Sequence, residues 1–391
     1  MGEELIATEQ FIRSGKKKLR CGITTGSCAA IASLASTKAI FEGAFPAYAK
    51  ITTPKGWIAL AEIKKMRLIS KTQALCAVQK DGGDDADATD GLLIYADVSV
   101  SPASQPNQLS VRIFGGKGIG VVTKAGLDQK IGLPAINSVP RAMIEAAVKS
   151  VCVEHNFSGT IDVVISAPLG KEIARHTFNP VLGIEGGISI LGTSGVVEPM
   201  SESALVEALD VETRVIAESL RGKKIRPLII TPGNFGLDFV AALPELSDIQ
   251  TLKCSNFIGN AIDFAAAYEF THVIFVGHAG KFVKLAGGIF NTHSHTADCR
   301  MELIASHAAL VGAESFDIAR IFDCATVDAA LDILDESNIT SAVMKSIAKA
   351  AQRRIAQRVQ GAYKFAFTMF TNVRGVLAQT ANFDFSELKT Q

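Results

Sequence analysis

The sequence predicts a mixed α/β and α+β protein, with an α+β domain in residues 1–180 and an α/β domain in residues 181–391. Its 391 residues, of which 48% are hydrophobic, are enough to bury more than one core. Short β-type runs separated by turn residues dominate residues 47–123. After about residue 180 the pattern alternates between apolar strand, glycine loop and helix, which predicts parallel strands joined by crossover helices.

The first domain opens with a lead-in, residues 1–15, and a basic run, residues 16–20, which we expect to face solvent. The run TTGS then starts an Ala-rich helix that we expect to end near Gly43. Residues 138–154 place apolar side chains on one helical stripe, and residues 160–167 form a predicted strand. Further predicted strands are IALAEI, QALCAVQ, LLIYADVSV and LSVRIF.

The second domain begins with three predicted strands, each followed by a glycine loop: residues 187–191, 227–231 and 272–276. Helical patterns lie between and after them, the longest of these regions being residues 298–358. The chain ends in a predicted hairpin that turns near residues 372–375.

Composition narrows the range of partners. Lys+Arg and Asp+Glu each total 39, so no net charge favours nucleic acid or an anionic membrane surface. No stretch approaches the ~20 apolar residues of a membrane span, and the first residues lack the basic start of a secretory signal. Seven cysteines without a CxxC pair fit a reducing compartment. We therefore expect a cytoplasmic protein that binds a small molecule; the sequence is compatible with a homo-oligomer.

Glycine loops after the predicted parallel strands form the first candidate site. Ligands bind beyond the carboxyl ends of such strands because helix N-termini present unpaired N–H groups there. The pattern predicts a site for a polar, nucleotide-like or carboxylate-bearing ligand, although such turns also need Gly, Ser and Thr for their conformation alone. The three loops are Gly192–Gly195, Pro232–Gly236 and Gly277–Lys281.

Two other clusters carry chemistry-bearing side chains. The run DGGDDADATDG, residues 81–91, could supply a general base or bind a hard cation, or be a solvated acidic loop. The run NTHSHTADCR contains His293, His295 and Asp298, which could bind a metal, although no second cluster of comparable density completes the set. We expect no metal site.

The run TTGSC at the start of the first helix could bind a carboxylate or simply cap the helix through Thr24 or Thr25. Cys28 lies at that helix start, where the helix dipole predicts a lowered thiol pKa. No histidine is adjacent in sequence to form a nucleophilic pair.

Several of these runs, in this order, resemble the CbiD family of the anaerobic cobalamin pathway: CGITTGSCAA, DGGDDADATDG, GGKGIGVVTKAGL, GGISILGTSGVVEPMS, SNFIGNAIDFAA and VGHAGKFVKLAGGIFNTHS. The resemblance spans roughly residues 20–380. It implies two domains, the second a Rossmann-like three-layer α/β domain. It also implies transfer of the methyl group of S-adenosylmethionine to C1 of cobalt-precorrin-5B, a cobalt-containing tetrapyrrole.

On this interpretation the first domain is the substrate side and the second is the cofactor side. We expect proton transfer by Asp84, Asp85 or His278. The expected cofactor-binding residues are Gly192, Thr193, Ser194, Gly195, Glu198, Gly233, Asn234 and Gly277. The acetate and propionate arms of the macrocycle call for cations and hydroxyls, for which the candidates are Thr24, Thr25, Ser27, Lys124, Arg141, Lys281, Lys284, His293 and Arg300.

Two alternatives stay open at this point. One is a metal-dependent hydrolase built on His293, His295 and Asp298. The other is a non-catalytic tetrapyrrole-binding protein that uses no methyl donor.

Overall fold

The computed structural model describes residues 10–103 and 108–389, except for the side chains of Ser14 and Lys389. Residue contacts divide the chain into two compact units, Met1–Glu202 and Ser203–Gln391. The division lies after the boundary expected at residue 180, and the first nine residues of the expected lead-in lie outside the described residues.

In the first unit most strands follow one another in runs and do not alternate with helices. Its strands are β1 (Phe11–Ser14), β2 (Lys17–Arg20), β3 (Gly22–Ile23), β4 (Tyr48–Thr52), β5 (Ile58–Ser70), β6 (Gln73–Gln79), β7 (Leu93–Pro102), β8 (Leu109–Gly115), β9 (Val121–Val122), β10 (Gly159–Ser166), β11 (Ile184–Glu185) and β12 (Val196–Val197). Its helices are α1 (Thr25–Glu42), α2 (Ser138–Glu154), α3 (Gly170–Ile173) and α4 (Asn179–Leu182), with a 3₁₀ turn at Ala174–His176.

A six-stranded sheet in the order β4-β5-β6-β7-β10-β8 forms the centre of the first unit. Its neighbouring strands are antiparallel except β10 and β8, which are parallel. Side chains of β7 alternate between buried and half-buried positions, as expected for a sheet with one face in the core. Helices α1 and α2 pack on that face, and their apolar side chains join those of the strands in one core.

The predicted helices at the start of the chain and at residues 138–154 correspond to α1 and α2, and α1 ends at Gly43 as expected. The expectation for the basic run was incomplete, because residues 17–20 form β2 and pair with β1 in an antiparallel hairpin.

The predicted strand at residues 187–191 is not part of the parallel sheet, so that prediction is wrong. Ile188 and Ile190 instead bridge to Ile119 and Ile136 of the first unit. Both isoleucines are buried in the core of that unit. The apolar pattern had revealed their burial but not the partner against which they pack.

The second unit alternates strands with longer helices. Its helices are α5 (Glu202–Ser219), α6 (Asn234–Ala241), α7 (Ile258–Ala267), α8 (Ala279–Ala286), α9 (Arg300–Leu310), α10 (Ser315–Phe322), α11 (Val327–Glu336) and α12 (Thr340–Val359), with 3₁₀ turns at Pro244–Leu246 and Phe385–Lys389. Its strands are β13 (Pro227–Thr231), β14 (Thr251–Lys253), β15 (His272–His278), β16 (Lys364–Thr371) and β17 (Gly375–Ala381).

These strands form a five-stranded sheet in the order β14-β13-β15-β16-β17. The first four are parallel, and β17 is antiparallel to β16, as the predicted terminal hairpin requires. Both faces are buried: Ile230 and Phe275 belong to the core that includes α7, α8 and α12, whereas Ile229 and Ile274 pack with Val240 of α6. This double burial explains the continuous apolar runs in β13 and β15.

The chain passes from β13 to β14 on one side and then returns past β13 to β15 on the other. In open parallel sheets a crevice forms at such a reversal, outside the carboxyl ends of the two strands. In this unit the reversal lies between β13 and β15.

Within the described parts of the chain, none of the helices combines the length and the apolar character needed to cross a membrane.

Candidate functional sites

The start of α1 is bonded to the segment that precedes and forms the first glycine loop. The Thr24 hydroxyl caps the helix by accepting from the Ser27 N–H. The Thr25 hydroxyl accepts from the Leu191 N–H at 2.9 Å, and the Ser27 hydroxyl donates to the Gly195 carbonyl at 2.6 Å. All three hydroxyl-bearing residues are buried, so these groups serve to join α1 to residues 189–195.

Close packing at this junction also explains the glycines. Gly192 has φ +132°, and a Cβ placed there would lie 2.4 Å from the Thr24 side chain. Gly195 has φ +76°, and its Cβ would lie 2.8 Å from that of Thr53. Any side chain at either position would therefore combine an unfavourable backbone conformation with a steric clash.

The expectation of a lowered thiol pKa for Cys28 is wrong. Its side chain is completely buried, and this burial raises the pKa to about 12. Removal of the thiolate from water outweighs the favourable position at a helix N-terminus. Cys28 is therefore an inert core residue.

The turn between β4 and β5 bonds to the first glycine loop and to Glu198, which follows that loop. The Lys55 N–H donates to the Ser194 carbonyl at 3.1 Å, and the Lys55 ammonium forms an ion pair with Glu198. The same ammonium lies 4.3 Å from the centroid of the Trp57 ring. Thr193 lies in the same loop. The ion pair with Lys55 gives Glu198 a partner within the first unit.

The acidic loop, residues 81–91, is organised by Arg20. The Arg20 guanidinium makes two hydrogen bonds to the Asp81 carboxylate, at 2.5 and 2.8 Å, and the resulting stabilisation lowers the pKa of Asp81. The backbone of Arg20 donates to the Asp84 carboxylate at 2.6 Å and accepts from the Asp84 N–H at 2.9 Å. The loop and β2 are therefore held together by both charge and backbone bonds.

Other aspartates of the acidic loop are also engaged. Asp85 accepts from the Met200 N–H at 3.1 Å, which connects the acidic loop to the segment after the first glycine loop. The Lys80 ammonium, in a residue only 3% exposed, lies 2.5 Å from the Asp87 carboxylate. Burial tends to raise the pKa of Asp87, but its bonds to Lys80 and Thr89 lower it overall.

Beside these elements lies a cavity of about 560 Å³, which we call the first-unit cleft. Its lining combines an aromatic surface with both signs of charge, and includes Arg20, Trp57, Lys64, Lys80, Asp81 and Asp90. Such a mixture suits a ligand that has a flat apolar body and polar substituents.

Two predicted substrate-binding cations bond to backbone carbonyls of the first unit. The Lys124 ammonium donates to the Val181 carbonyl at 3.0 Å. The Arg141 guanidinium donates to the carbonyls of Ile136 and Ile113, at 2.8 and 3.2 Å.

In the second unit, the neighbouring parallel strands β13 and β15 bring two of the three predicted loops to the same edge of the sheet. Gly233 precedes α6, and no heavy atom lies within 4 Å of the position its Cβ would occupy. The Asn234 side chain accepts from the Lys253 ammonium at 3.4 Å. Gly277 belongs to β15 itself, and a Cβ there would lie 2.1 Å from the Phe282 ring, so packing requires this glycine.

His278 ends β15 and caps α8. Its Nδ1 accepts from the Gly280 N–H at 3.1 Å, so in the neutral ring the proton resides on Nε2. Burial lowers the pKa of His278, with a smaller opposing effect from Asp328. At neutral pH this arrangement makes His278 a hydrogen-bond donor through Nε2.

Lys281, in the first turn of α8, donates no hydrogen bond and forms no ion pair with any residue that the structure describes. Its side chain is partly buried, and burial lowers the pKa of the ammonium. A partly desolvated cation without a partner suits an anionic ligand group.

Lys284, one turn further along α8, has a different environment. It is 3% exposed, and its ammonium donates to the carbonyls of Thr292 and Ala297 at 3.1 and 2.7 Å. Burial lowers its pKa, although Asp298 lies 4.0 Å away. These bonds fix the loop formed by residues 291–299.

That loop does not assemble the metal site considered as an alternative. His293 accepts through Nδ1 from the His295 N–H, and the Asp298 carboxylate makes two bonds to the Arg300 guanidinium. Across residues 10–103 and 108–389, no group of three or more His, Cys, Asp or Glu side chains could hold a metal ion.

Sequence reasoning missed several residues of these sites, Arg20 and Lys64 of the first-unit cleft among them. Trp57 and Lys80 line the first-unit cleft, and Phe235 lies beside His278. Trp57 is the only tryptophan of the chain, a signal that could have directed attention to it.

The two folds and their sites define a mixed α/β protein with a polar cleft in one unit and a reversal of parallel strand order in the other. The CbiD family model matches residues 12–199, and the model of the CbiD C-terminal domain matches residues 291–381. The chain belongs to the CbiD family.

Similar proteins cover nearly the whole chain. Cobalt-precorrin-5B C(1)-methyltransferase of Ruminiclostridium cellulolyticum is 42% identical over 93% of this chain and 92% of its own length. The proteins of the same name from Thermoanaerobacter sp. and Alkaliphilus metalliredigens are 41% and 38% identical, over 94% and 95% of this chain and 97% and 94% of their own lengths. The crystal structure of cobalamin biosynthesis protein CbiD from Archaeoglobus fulgidus is 28% identical, with a TM-score of 0.37, over 73% of this chain and 86% of that one.

Proposed function

We propose that the protein methylates C1 of cobalt-precorrin-5B with S-adenosylmethionine, in cobalamin biosynthesis. The observation that carries this proposal is the near-complete match to proteins that bear this name, at 42, 41 and 38% identity. Seven free cysteine thiols support a reducing cytoplasm as its location. The balanced charge of the chain gives no reason to expect nucleic acid as a partner.

We infer that the second unit is a Rossmann-like domain and that it holds the cofactor at the crevice between β13 and β15. The parallel strands, the buried faces and the reversal of strand order support this inference. Residues of both bordering helices would take part: Gly233 and Asn234 at the start of α6, and Lys281 in α8.

The residues present fit the groups of S-adenosylmethionine. The unpaired Lys281 ammonium suits the methionyl carboxylate, since a charge-assisted bond offsets the cost of burial. The His278 Nε2–H suits an acceptor on the ribose or the base. When bound, the cofactor supplies an electrophilic methyl group. The protein's contribution is to align the reactants and exclude water, which in-line displacement requires.

We place the substrate side on the first unit, at the first-unit cleft. Trp57 offers a flat apolar surface. Arg20 and Lys64 would bind carboxylate arms by exchanging their present partners, Asp81 for Arg20 and Gln79 and Glu62 for Lys64. In this proposal Thr24, Thr25 and Ser27 act as positioning residues, because their hydroxyls hold the first glycine loop. Lys124 and Arg141 stabilise neighbouring backbone in the same way.

Incubation of the purified full-length protein with S-adenosylmethionine and cobalt-precorrin-5B tests the activity directly. We expect a product heavier by one methyl group, with formation of S-adenosylhomocysteine. A folded protein that binds the tetrapyrrole but shows neither product nor cofactor binding would instead be a carrier.

Lys281→Met tests the cofactor site. We expect about a tenfold rise in KM for S-adenosylmethionine, since a charge-assisted hydrogen bond is lost. Lys223→Met is the matched control, because Lys223 is exposed and lies in the turn after α5. An unchanged KM in the Lys281 variant would exclude Lys281 from the cofactor site.

A further inference from the structure

Phe235 is an exposed aromatic residue at the candidate cofactor crevice. It is the second residue of α6 and is 58% exposed. Its ring centroid lies 5.7 Å from that of His278, the last residue of β15. Phe235 therefore lies where the two strands that border the crevice end.

Local packing fixes the position of this ring. Gly236 follows Phe235, and a Cβ at Gly236 would lie 1.7 Å from the Thr231 hydroxyl oxygen, so α6 approaches the end of β13 as closely as a glycine allows. His278 in turn contacts the Phe370 ring edge-on, with centroids 5.8 Å apart. Phe370 stacks on Phe239 at 4.3 Å. A ring cluster thus extends from the core beneath α6 to the exposed Phe235.

Two features of this region suit a ligand: open space at Gly233 and a hydrogen-bond donor on His278. No heavy atom lies within 4 Å of the position that a Cβ of Gly233 would take, so a ligand can approach the backbone there. The His278 ring, whose centroid lies 5.7 Å from that of Phe235, provides a donor through Nε2–H, with its tautomer fixed by the bond from Gly280. An aromatic face beside a neutral donor matches the two features of a purine: a π-face and ring nitrogens that accept hydrogen bonds.

We propose that Phe235 is the stacking residue for the purine ring of the methyl donor and that His278 donates to the same nucleoside. This inference rests on the proposed function and adds a recognition element to it. A purine is favoured over the macrocycle as occupant because a single exposed ring can cover one base, whereas the macrocycle needs a wide cleft.

Binding of S-adenosylhomocysteine by isothermal titration tests the proposal. Phe235→Ala is expected to weaken binding about tenfold, the scale of one lost base-stacking contact. Phe235→Tyr should retain nearly full affinity because it keeps the aromatic face. Phe235→Leu should resemble the alanine variant, because an apolar side chain without a π-face cannot replace stacking. Since Phe235 is exposed, all three variants should melt like the wild type.

Phe316→Ala is the matched control, because Phe316 is 72% exposed on α10. The proposal is overturned if Phe235→Ala leaves the affinity unchanged while Lys281→Met lowers it; the proposed cofactor site would then stand without this stacking residue. Equal affinity of the leucine and tyrosine variants would overturn it as well. A wild-type protein without measurable affinity for either S-adenosylmethionine or S-adenosylhomocysteine would overturn both the stacking role of Phe235 and the proposed function.

Discussion

The Ser27 hydroxyl donates a 2.6 Å hydrogen bond to the carbonyl of Gly195, a residue 168 positions further along the chain. Both ends of this bond lie within the first unit, and Ser27 is completely inaccessible to solvent. The bond therefore couples the start of α1 to the first glycine loop.

Ser27→Ala should lower the free energy of unfolding by about 1 kcal/mol, because the Gly195 carbonyl loses the shorter of its two hydrogen bonds and keeps the one from the Thr24 N–H at 3.3 Å. Urea denaturation followed by circular dichroism measures the change. Ser110→Ala, on an exposed position of β8, should change stability by less than about 0.5 kcal/mol. Equal effects of the two substitutions would mean that the buried bond contributes nothing.

At Gly192, the cost of a steric clash can be measured separately from the cost of the backbone conformation. Gly186 also has a positive φ, +82°, but no heavy atom lies within 4 Å of its Cβ position, whereas Gly192 faces Thr24. We expect Gly186→Ala to cost about 1–2 kcal/mol and Gly192→Ala about 1–3 kcal/mol more. Denaturant unfolding of both variants checks this, and similar costs would contradict the packing of Gly192 on α1.

His278 should make stability depend on pH. Its folded-state pKa lies below the ordinary value, so the unfolded chain binds more protons and stability is lost as pH falls below about 6.5. His278→Asn keeps a good helix cap but cannot titrate. The fall in Tm between pH 7.5 and 5.5 should be smaller in this variant than in the wild type. His307, whose pKa burial also lowers, should leave part of the dependence.

His176→Asn is the control for this measurement, because His176 is exposed. Its pH dependence should match that of the wild type. If the His278 and His176 variants lose the same stability on acidification, His278 does not carry the effect.

Lys284→Met should loosen the loop at residues 291–299. The carbonyls of Thr292 and Ala297 lose a buried cationic donor, which we expect to cost about 1.5–3 kcal/mol. Hydrogen exchange should become faster at the amides of Thr296 and Ala297, which bond to His293 within this loop. Lys345→Met, on an exposed position of α12, should leave exchange unchanged. Wild-type exchange in the Lys284 variant would contradict its role as an anchor.

Local patterns were sufficient to predict many elements. The alternation of apolar strand, glycine loop and helix predicts that HVIFV is a parallel strand, and this run forms β15. The end of α1 at Gly43 followed from the left-handed conformation, φ +77°, that glycine adopts at a helix end.

Local patterns do not predict which residues that are distant in sequence contact one another. Ile188 and Ile190 have a strand-like pattern, but nothing local specifies that they bridge to Ile119 and Ile136. The burial that raises the pKa of the Cys28 thiol depends on the whole core of the first unit, which a local pattern does not specify. Phe235 was overlooked because sequence does not distinguish an exposed phenylalanine from a buried one.

The pairing of β3 with β12 also has a consequence during protein synthesis. β3 is made long before its partner strand β12, which is made only when the first unit is almost complete. While the first unit is being synthesised, the start of α1 therefore lacks most of the residues that contact it in the complete fold. A prematurely terminated product that lacks β12 would be unable to form this strand pairing.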